Sequence, residues 1–114
     1  MPFIDSKVTV KISDTQEKEL KTRLGKAISL LPGKSERWLM AGFEDEYSLY
    51  FAGDNSSPSA FIDVSVFGGP DSAGFAKLTS EITKIFNEVL NIPADRIYIK
   101  YSATRDWGWN GNNF

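Results

Sequence analysis

The chain has 114 residues, 41% of them hydrophobic and 25% charged, and a net charge of −2, which is typical of one soluble domain spanning residues 1–114. It has no cysteine and no histidine, so disulfides, thiol catalysis, Cys/His zinc sites and imidazole-based triads are excluded. No basic patch, secretory signal or membrane-spanning apolar run is visible, and we expect a cytoplasmic protein that binds neither nucleic acid nor membrane.

The first half of the chain predicts a strand, a helix and two further strands. Apolar and polar residues alternate over residues 3–12, as in a strand with one buried face. A helix is predicted to open at Asp14-Thr15, with Glu17 near the capping-box position, and to end at Pro32-Gly33. We expect a second strand over residues 38–43, a short third strand over 48–52 and a loop over 53–58.

The second half repeats the first. Phe61-Ile62-Asp63 repeats Phe3-Ile4-Asp5, and Asp95-Arg96-Ile97-Tyr98 matches Glu36-Arg37-Trp38-Leu39 at nearly the same offset. Between them, Pro70-Asp71-Ser72 is predicted to open a second helix. The ordered recurrence of strand, helix and strand indicates an internal duplication, with repeats over residues 2–55 and 58–114.

Two βαβ units side by side predict an α/β (α+β) fold. Each crossover gives parallel strands with its helix on one face, so the units form a four-stranded mixed sheet with both helices on a single face, plus short edge strands. The opposite face would carry Phe3, Phe61 and Phe67 among polar residues such as Asp63 and Ser65. A small sheet with such an uncovered face suggests oligomerisation.

The two ends of the chain carry the chemistry. Methionine before a small residue is normally trimmed, and removal of Met1 would expose a secondary amine on Pro2. An α-amino group titrates at about 7.7–8.0, and burial or a nearby cation lowers that pKa towards the range in which a base can transfer protons at carbon. The aromatic tail from Trp107 to Phe114 could cover the walls of such a pocket.

Four segments resemble the macrophage migration inhibitory factor family, a branch of the tautomerase superfamily that includes D-dopachrome tautomerase. They are Met1-Pro2, Gly33-Lys34, residues 93–99 (Pro-Ala-Asp-Arg-Ile-Tyr-Ile) and residues 107–111 (Trp-Gly-Trp-Asn-Gly). The resemblance is collinear over the whole chain. It implies a homotrimer of pseudo-twofold βαβ units, with active sites between subunits and the N-terminal proline as catalytic base.

The resemblance also implies roles for individual residues. Pro2 matches the catalytic proline and Lys34 the lysine that binds the substrate carboxylate. Phe67 falls where the family has an apolar residue whose backbone amide contacts substrate. Tyr98 matches a tyrosine that reaches into the site from the adjacent subunit. Lys100 stands where the vertebrate cytokines have a substrate-binding asparagine, so its charge is expected to lower the pKa of Pro2 and to favour substrates with a second anion. Four further residues match positions that form the aromatic and apolar walls of the family's pocket, namely Trp38, Trp107, Trp109 and Phe114.

Several of these residues also have a purely structural interpretation. Pro2 suits a strand edge, where its missing N–H costs nothing. Lys34 follows the end of a helix, where the dipole favours cations. Tyr98 and Lys100 are two apart in a strand and share a face, which would equally suit a solvated surface. Asp5 and Asp63 are related by the repeat and are expected to serve structure.

The sequence therefore predicts a keto–enol tautomerase for α-keto acids of the phenylpyruvate type, without metal or organic cofactor. With Met1 retained, the Pro2 nitrogen is an amide without basicity, and we expect no activity from that form. One alternative is a cytokine-like or host-mimicking protein that binds a receptor after non-classical secretion and keeps a vestigial pocket. A second alternative is an oligomeric scaffold whose pocket is unused.

Overall fold

A computed structural model describes all residues from Met1 to Phe114. The strands are β1 (Pro2–Val8), β2 (Met40–Glu44), β3 (Ala60–Phe67), β4 (Ile97–Thr104), β5 (Gly108–Trp109) and β6 (Asn112–Asn113). The helices are α1 (Asp14–Ala27) and α2 (Ser72–Leu90), with short 3-10 turns at Ile28–Leu30, Glu36–Trp38 and Ala94–Arg96. Neither helix combines the length and apolar character needed to cross a bilayer.

The main sheet confirms the predicted pair of βαβ units. Its strand order is β2-β1-β3-β4, with β1 parallel to β2, β3 parallel to β4 and the two central strands antiparallel. In the central pair Asp5 lies directly opposite Asp63. These residues are related by the repeat, so the local twofold axis of the duplication passes between them.

Both helices cover one face of the sheet, and the core lies between the helices and that face. Every second residue of the central strands points into it, as the alternation in the sequence predicts. The fully buried side chains include Ile4, Val8, Ile62 and Val64 from the strands and Leu20, Leu24, Leu78, Ile82 and Phe86 from the helices. The other face, called the open face below, presents Phe3, Asp5, Lys7, Phe61, Asp63, Ser65, Phe67, Tyr98 and Lys100.

Capping side chains fix where the helices begin. At α1 the Ser13 hydroxyl accepts from the Gln16 N–H while the Gln16 side chain accepts from the Ser13 N–H, so the capping-box partner is Gln16 and not the predicted Glu17. At α2 the Asp71 carboxylate accepts from the Gly74 N–H at 3.0 Å, which leaves Pro70 outside the helix. Helix α1 ends earlier than predicted, because the chain tightens into a 3-10 turn before Pro32.

Three strand predictions are wrong in detail. The first strand ends at Val8, and the second runs from Met40 to Glu44, with Trp38 in the preceding 3-10 turn. The third strand predicted over 48–52 is absent, and only an isolated bridge joins Phe51 to Asp54. The chain just before this segment is held elsewhere, since the N–H groups of Glu46 and Tyr47 donate to the carbonyls of Val10 and Val8, at and just after the end of β1. It then reverses through residues 52 and 53, both at positive φ.

Core packing at Phe86 gives a stability prediction. Phe86 is fully buried in the helix layer, so Phe86→Ala should lower the free energy of unfolding by about 3–5 kcal/mol through lost transfer energy and a residual cavity. Leu30→Ala is the control, because Leu30 is 41% exposed on the same layer and should cost about 1 kcal/mol or less. Urea denaturation at one protein concentration measures both, and equal losses would contradict the assigned core.

Candidate active site

A cleft lined mainly by apolar groups opens beside the start of β1. It has a volume of about 380 Å³ and is formed by the N-terminal residues, the turn before β2 and the C-terminal hairpin. Its lining residues, which define the aromatic cleft, are Met1, Pro2, Phe3, Arg37, Trp38, Leu39, Met40, Trp107, Gly108 and Trp109. All three tryptophans of the chain belong to it.

Pairing of the central strands places Pro2 at the edge of this cleft. Pro2 is the first residue of β1, is buried, and lies opposite Val66 of β3. One residue earlier the Phe67 N–H donates to the Met1 carbonyl oxygen at 3.0 Å. Phe3 lies beside Met40 of β2, so the start of β1 is held between two neighbouring strands. The chain direction at Pro2 is therefore fixed from both sides.

The C-terminal hairpin supplies the aromatic wall. Asn110 and Gly111 have φ of 53° and 82°, the combination that a two-residue type I′ turn requires. This turn pairs β5 with β6 and returns the chain so that the Phe114 N–H donates to the Trp107 carbonyl at 3.0 Å. The short polar sequence after Trp109 thus brings the last residue back against the cleft.

Four rings form a continuous aromatic series along this wall. Trp38 meets Trp109 edge to face with centroids 5.4 Å apart, Trp109 stacks near Phe114 at 6.5 Å, and Phe114 lies 5.0 Å from Phe67. The series therefore joins three of the four residues assigned to pocket walls with the Phe67 ring, and the fourth, Trp107, lines the aromatic cleft beside them.

Lys34 lies at the Phe67 end of this series. Its Nζ donates to the Phe67 carbonyl at 2.7 Å, and it borders a smaller cavity of about 230 Å³ with Gly68. Burial of the chain terminus, and then the charge of Lys34, lower the pKa of the Met1 α-amino group. At a given pH the neutral form of this amine is therefore more populated than at an unburied terminus. No cluster of three or more carboxylates that could hold a metal ion occurs in the chain.

Tyr98 and Lys100 are not in this cleft. Tyr98 pairs with Phe61, five residues along β3 from the partner of Pro2, so Tyr98 and Pro2 lie roughly 17 Å apart along the strand direction and also two strands apart across the sheet. The Tyr98 ring is exposed and contacts Phe51 edge to face at 5.2 Å. Lys100 Nζ pairs with the Asp63 carboxylate at 3.2 Å. Both side chains lie on the open face, as the strand pattern predicts, while Ile97 is buried.

Sequence reasoning missed Arg37 and Met40 at the cleft. Arg37 places its guanidinium 5.0 Å from the Trp38 ring centroid, and Met40 is 72% exposed at the edge of the sheet. Assigning residues from 38 onwards to a strand hid the turn that carries Arg37. The only sequence feature that drew attention to Arg37 was its repeat-related match with Arg96. Arg96 has a structural role, because its guanidinium donates to the Pro58 carbonyl and the Ser59 hydroxyl.

Comparisons with known proteins agree with this architecture. The family description "Macrophage migration inhibitory factor (MIF)" matches residues 1–114. The chain belongs to the macrophage migration inhibitory factor family. It is 31% identical over 108 residues to Macrophage migration inhibitory factor of Xenopus laevis, covering 90% of this chain and 87% of that protein.

Solved structures of this family superpose closely on the fold. Leishmania major MIF2 has a TM-score of 0.92 at 32% identity, with 100% of this chain and 97% of that chain covered. The macrophage migration inhibitory factor homologue of Prochlorococcus marinus has a TM-score of 0.86 at 29% identity, with 98% of each chain covered. The macrophage migration inhibitory factor family includes both tautomerases and cytokine-like members.

The hairpin turn gives a prediction about the cleft. Gly111 and Gly53 both have positive φ and open space around them, so an alanine at either is strained by about 1 kcal/mol without a clash. Gly111→Ala should displace the hairpin and increase acrylamide quenching of tryptophan fluorescence, since every tryptophan lines the aromatic cleft. Gly53→Ala should leave quenching unchanged. A matching increase in both variants would show that the hairpin does not control the wall.

Proposed function

We propose that this protein is a keto–enol tautomerase for α-keto acids with an aromatic or apolar tail, of the phenylpyruvate type, with the amine of Pro2 as general base after Met1 is removed. One observation carries the proposal. Pro2 is buried at the edge of an aromatic cleft, next to Met1, whose α-amino pKa is lowered by burial and by Lys34. A cytoplasmic location, with non-classical export as the alternative, belongs to the same proposal.

Removal of Met1 would change two groups at once. It converts the Pro2 nitrogen from an amide into a secondary amine, which can accept a proton. It also removes the carbonyl to which the Phe67 N–H donates, and so releases that N–H at the cleft. The family resemblance assigns substrate contact to the backbone amide at this position. Base and donor would therefore become available in the same step.

The proposed reaction needs only proton transfers. The neutral Pro2 amine accepts the enol hydroxyl proton, and the resulting ammonium delivers a proton to the adjacent carbon to give the keto acid. The intermediate is an enolate-like anion, so fixed cations and N–H donors near its oxygens lower the barrier. Lys34, held by its hydrogen bond to the Phe67 carbonyl, would bind the carboxylate, and the tryptophans would hold the tail and exclude water.

A homotrimer is part of the proposal, because Tyr98 and Lys100 lie at the far end of the sheet from Pro2. The open face and the exposed edge residues Met40 and Tyr98 support association with other copies. A neighbour's Tyr98 would then donate a hydrogen bond in the cleft. Lys100 would arrive with Asp63 already beside it, so part of its charge would be compensated.

Processing of Met1 gives the most direct test. Intact mass spectrometry should separate a form that retains Met1 from one that begins at Pro2, and only the latter should ketonise phenylenolpyruvate. Fold and assembly should be the same in both, because the core does not include Met1. Equal activity in the two forms would remove Pro2 as the base. Activity in neither would favour the receptor-binding alternative.

The pH dependence of the processed form gives a second test. The charge of Lys34 lowers the pKa of the Met1 amine and is expected to act in the same direction on the Pro2 amine, so Lys34→Gln should raise the Pro2 pKa and reduce the neutral fraction at a given pH. The acidic limb of the kcat/KM profile should therefore move to higher pH, together with a rise in KM. Lys84→Gln, an equal change of charge on the exposed side of α2, is the control. An unmoved limb in Lys34→Gln would contradict this role.

Subunit mixing tests the shared site. Pro2→Gly and Tyr98→Ala homotrimers should each be weak catalysts, for loss of the base and of the donor. Refolding an equal mixture should restore about a quarter of wild-type sites, since a random trimer unites an intact Pro2 with a neighbour's intact Tyr98 at that frequency. Activity no higher than the average of the two parents would show that Tyr98 does not serve a neighbouring Pro2.

A further inference from the structure

Arg37 is the one cationic side chain that lines the aromatic cleft. Its guanidinium lies 5.0 Å from the Trp38 ring centroid, and it makes no ion pair within 4.0 Å and no side-chain hydrogen bond in the chain. The adjacent Glu36 does not neutralise it, because the Glu36 side chain lies against Gly25 of α1. The aromatic contact therefore orients the guanidinium while leaving its donors unused.

Of the other three arginines, two are occupied, and Arg105, which also makes no ion pair, lies outside the aromatic cleft beside Gly69. Arg23 pairs with Glu88 at 2.7 Å, and Arg96, the repeat-related counterpart of Arg37, donates to the loop around Pro58 and pairs with Asp54 at 3.7 Å. The repeat-related arginines thus have different surroundings: Arg96 holds a loop in the second half, whereas Arg37 lies unpaired at the cleft in the first half. A planar guanidinium with free donors matches a carboxylate in two-point contact.

We propose that Arg37 is a specificity residue that binds a second carboxylate, carried at the far end of an aromatic α-keto acid. The inference rests on the proposed function for the reaction itself. Lys34 lies at the Phe67 end of the ring series and Arg37 at the Trp38 end. With the keto-acid end of a ligand turned towards Lys34, a carboxylate at the end of its aromatic tail would lie on the Arg37 side of the wall.

Charge at the cleft favours the same ligand class. No Asp or Glu lines the aromatic cleft, so a second anion would enter without a repelling neighbour. Arg37 is exposed, so its attraction is screened by salt and should weaken as ionic strength rises. A merely solvated arginine that covers Trp38 would give no such discrimination between ligands.

Binding of two unreactive acids tests the proposal independently of catalysis. Calorimetry of the processed protein compares 3-phenylpropanoate with 3-(4-carboxyphenyl)propanoate in the wild type, Arg37→Gln, Arg37→Lys and the charge control Lys77→Gln. The wild type should bind the di-acid more tightly than the mono-acid. Arg37→Gln should bind the di-acid about tenfold more weakly than the wild type does, which is the usual effect of losing one charge-assisted contact. Affinity for the mono-acid should change less than about twofold, since Arg37 would not touch it. Arg37→Lys should keep part of the preference, and Lys77→Gln all of it.

Two results would overturn the proposal. One is a wild type without preference for the di-acid, and the other is an Arg37→Gln variant that loses both acids equally, which would show a structural role at Trp38. The proposed function is judged separately by turnover of phenylenolpyruvate and of its 4-carboxy derivative. If the wild type turns over neither enol but still prefers the di-acid through Arg37, the tautomerase proposal is refuted and the Arg37 site is supported.

Discussion

The antiparallel pairing of β1 with β3 is the interaction on which the rest of the molecule depends. It joins two parallel βαβ units into one sheet and places both helices on the same side. Its register sets Pro2 against Val66 and brings Phe67 beside Met1, so the chain terminus lies where Lys34 can reach. A shift of β1 by one residue would turn Ile4 and Val8 to the open face and would disrupt core and cleft together.

The duplication explains why the two halves share a scaffold but not a site. At the axis, Asp5 and Asp63 face each other, an unfavourable pair of like charges that Lys7 and Lys100 offset at 3.0 and 3.2 Å. Away from the axis the repeat-related positions have diverged. Trp38 forms part of the aromatic wall, whereas its counterpart Ile97 is buried in the core. The cleft thus occupies one end of a nearly symmetric sheet.

Regular periodicity made most of the fold predictable from sequence. Alternation in the central strands and apolar stripes in the helices follow directly from which face is buried, and the repeat supplied the topology. Element ends were less predictable, because residues 46–54 are held by single backbone hydrogen bonds and a tight turn that leave no periodic signal. Arg37 was missed for a related reason, since a guanidinium held over a ring depends on tertiary contact and not on spacing.

The hydrogen bond from the Phe67 N–H to the Met1 carbonyl has a consequence for how much active protein a cell contains. In an unprocessed chain the Phe67 N–H donates to the Met1 carbonyl, and by the mechanism proposed above such a chain would be folded but inactive, as a proenzyme is. Under the proposed mechanism, the pace of methionine removal would then set how much competent catalyst exists, independently of synthesis. A rapidly overproduced preparation would be a mixture of latent and mature molecules with the same fold.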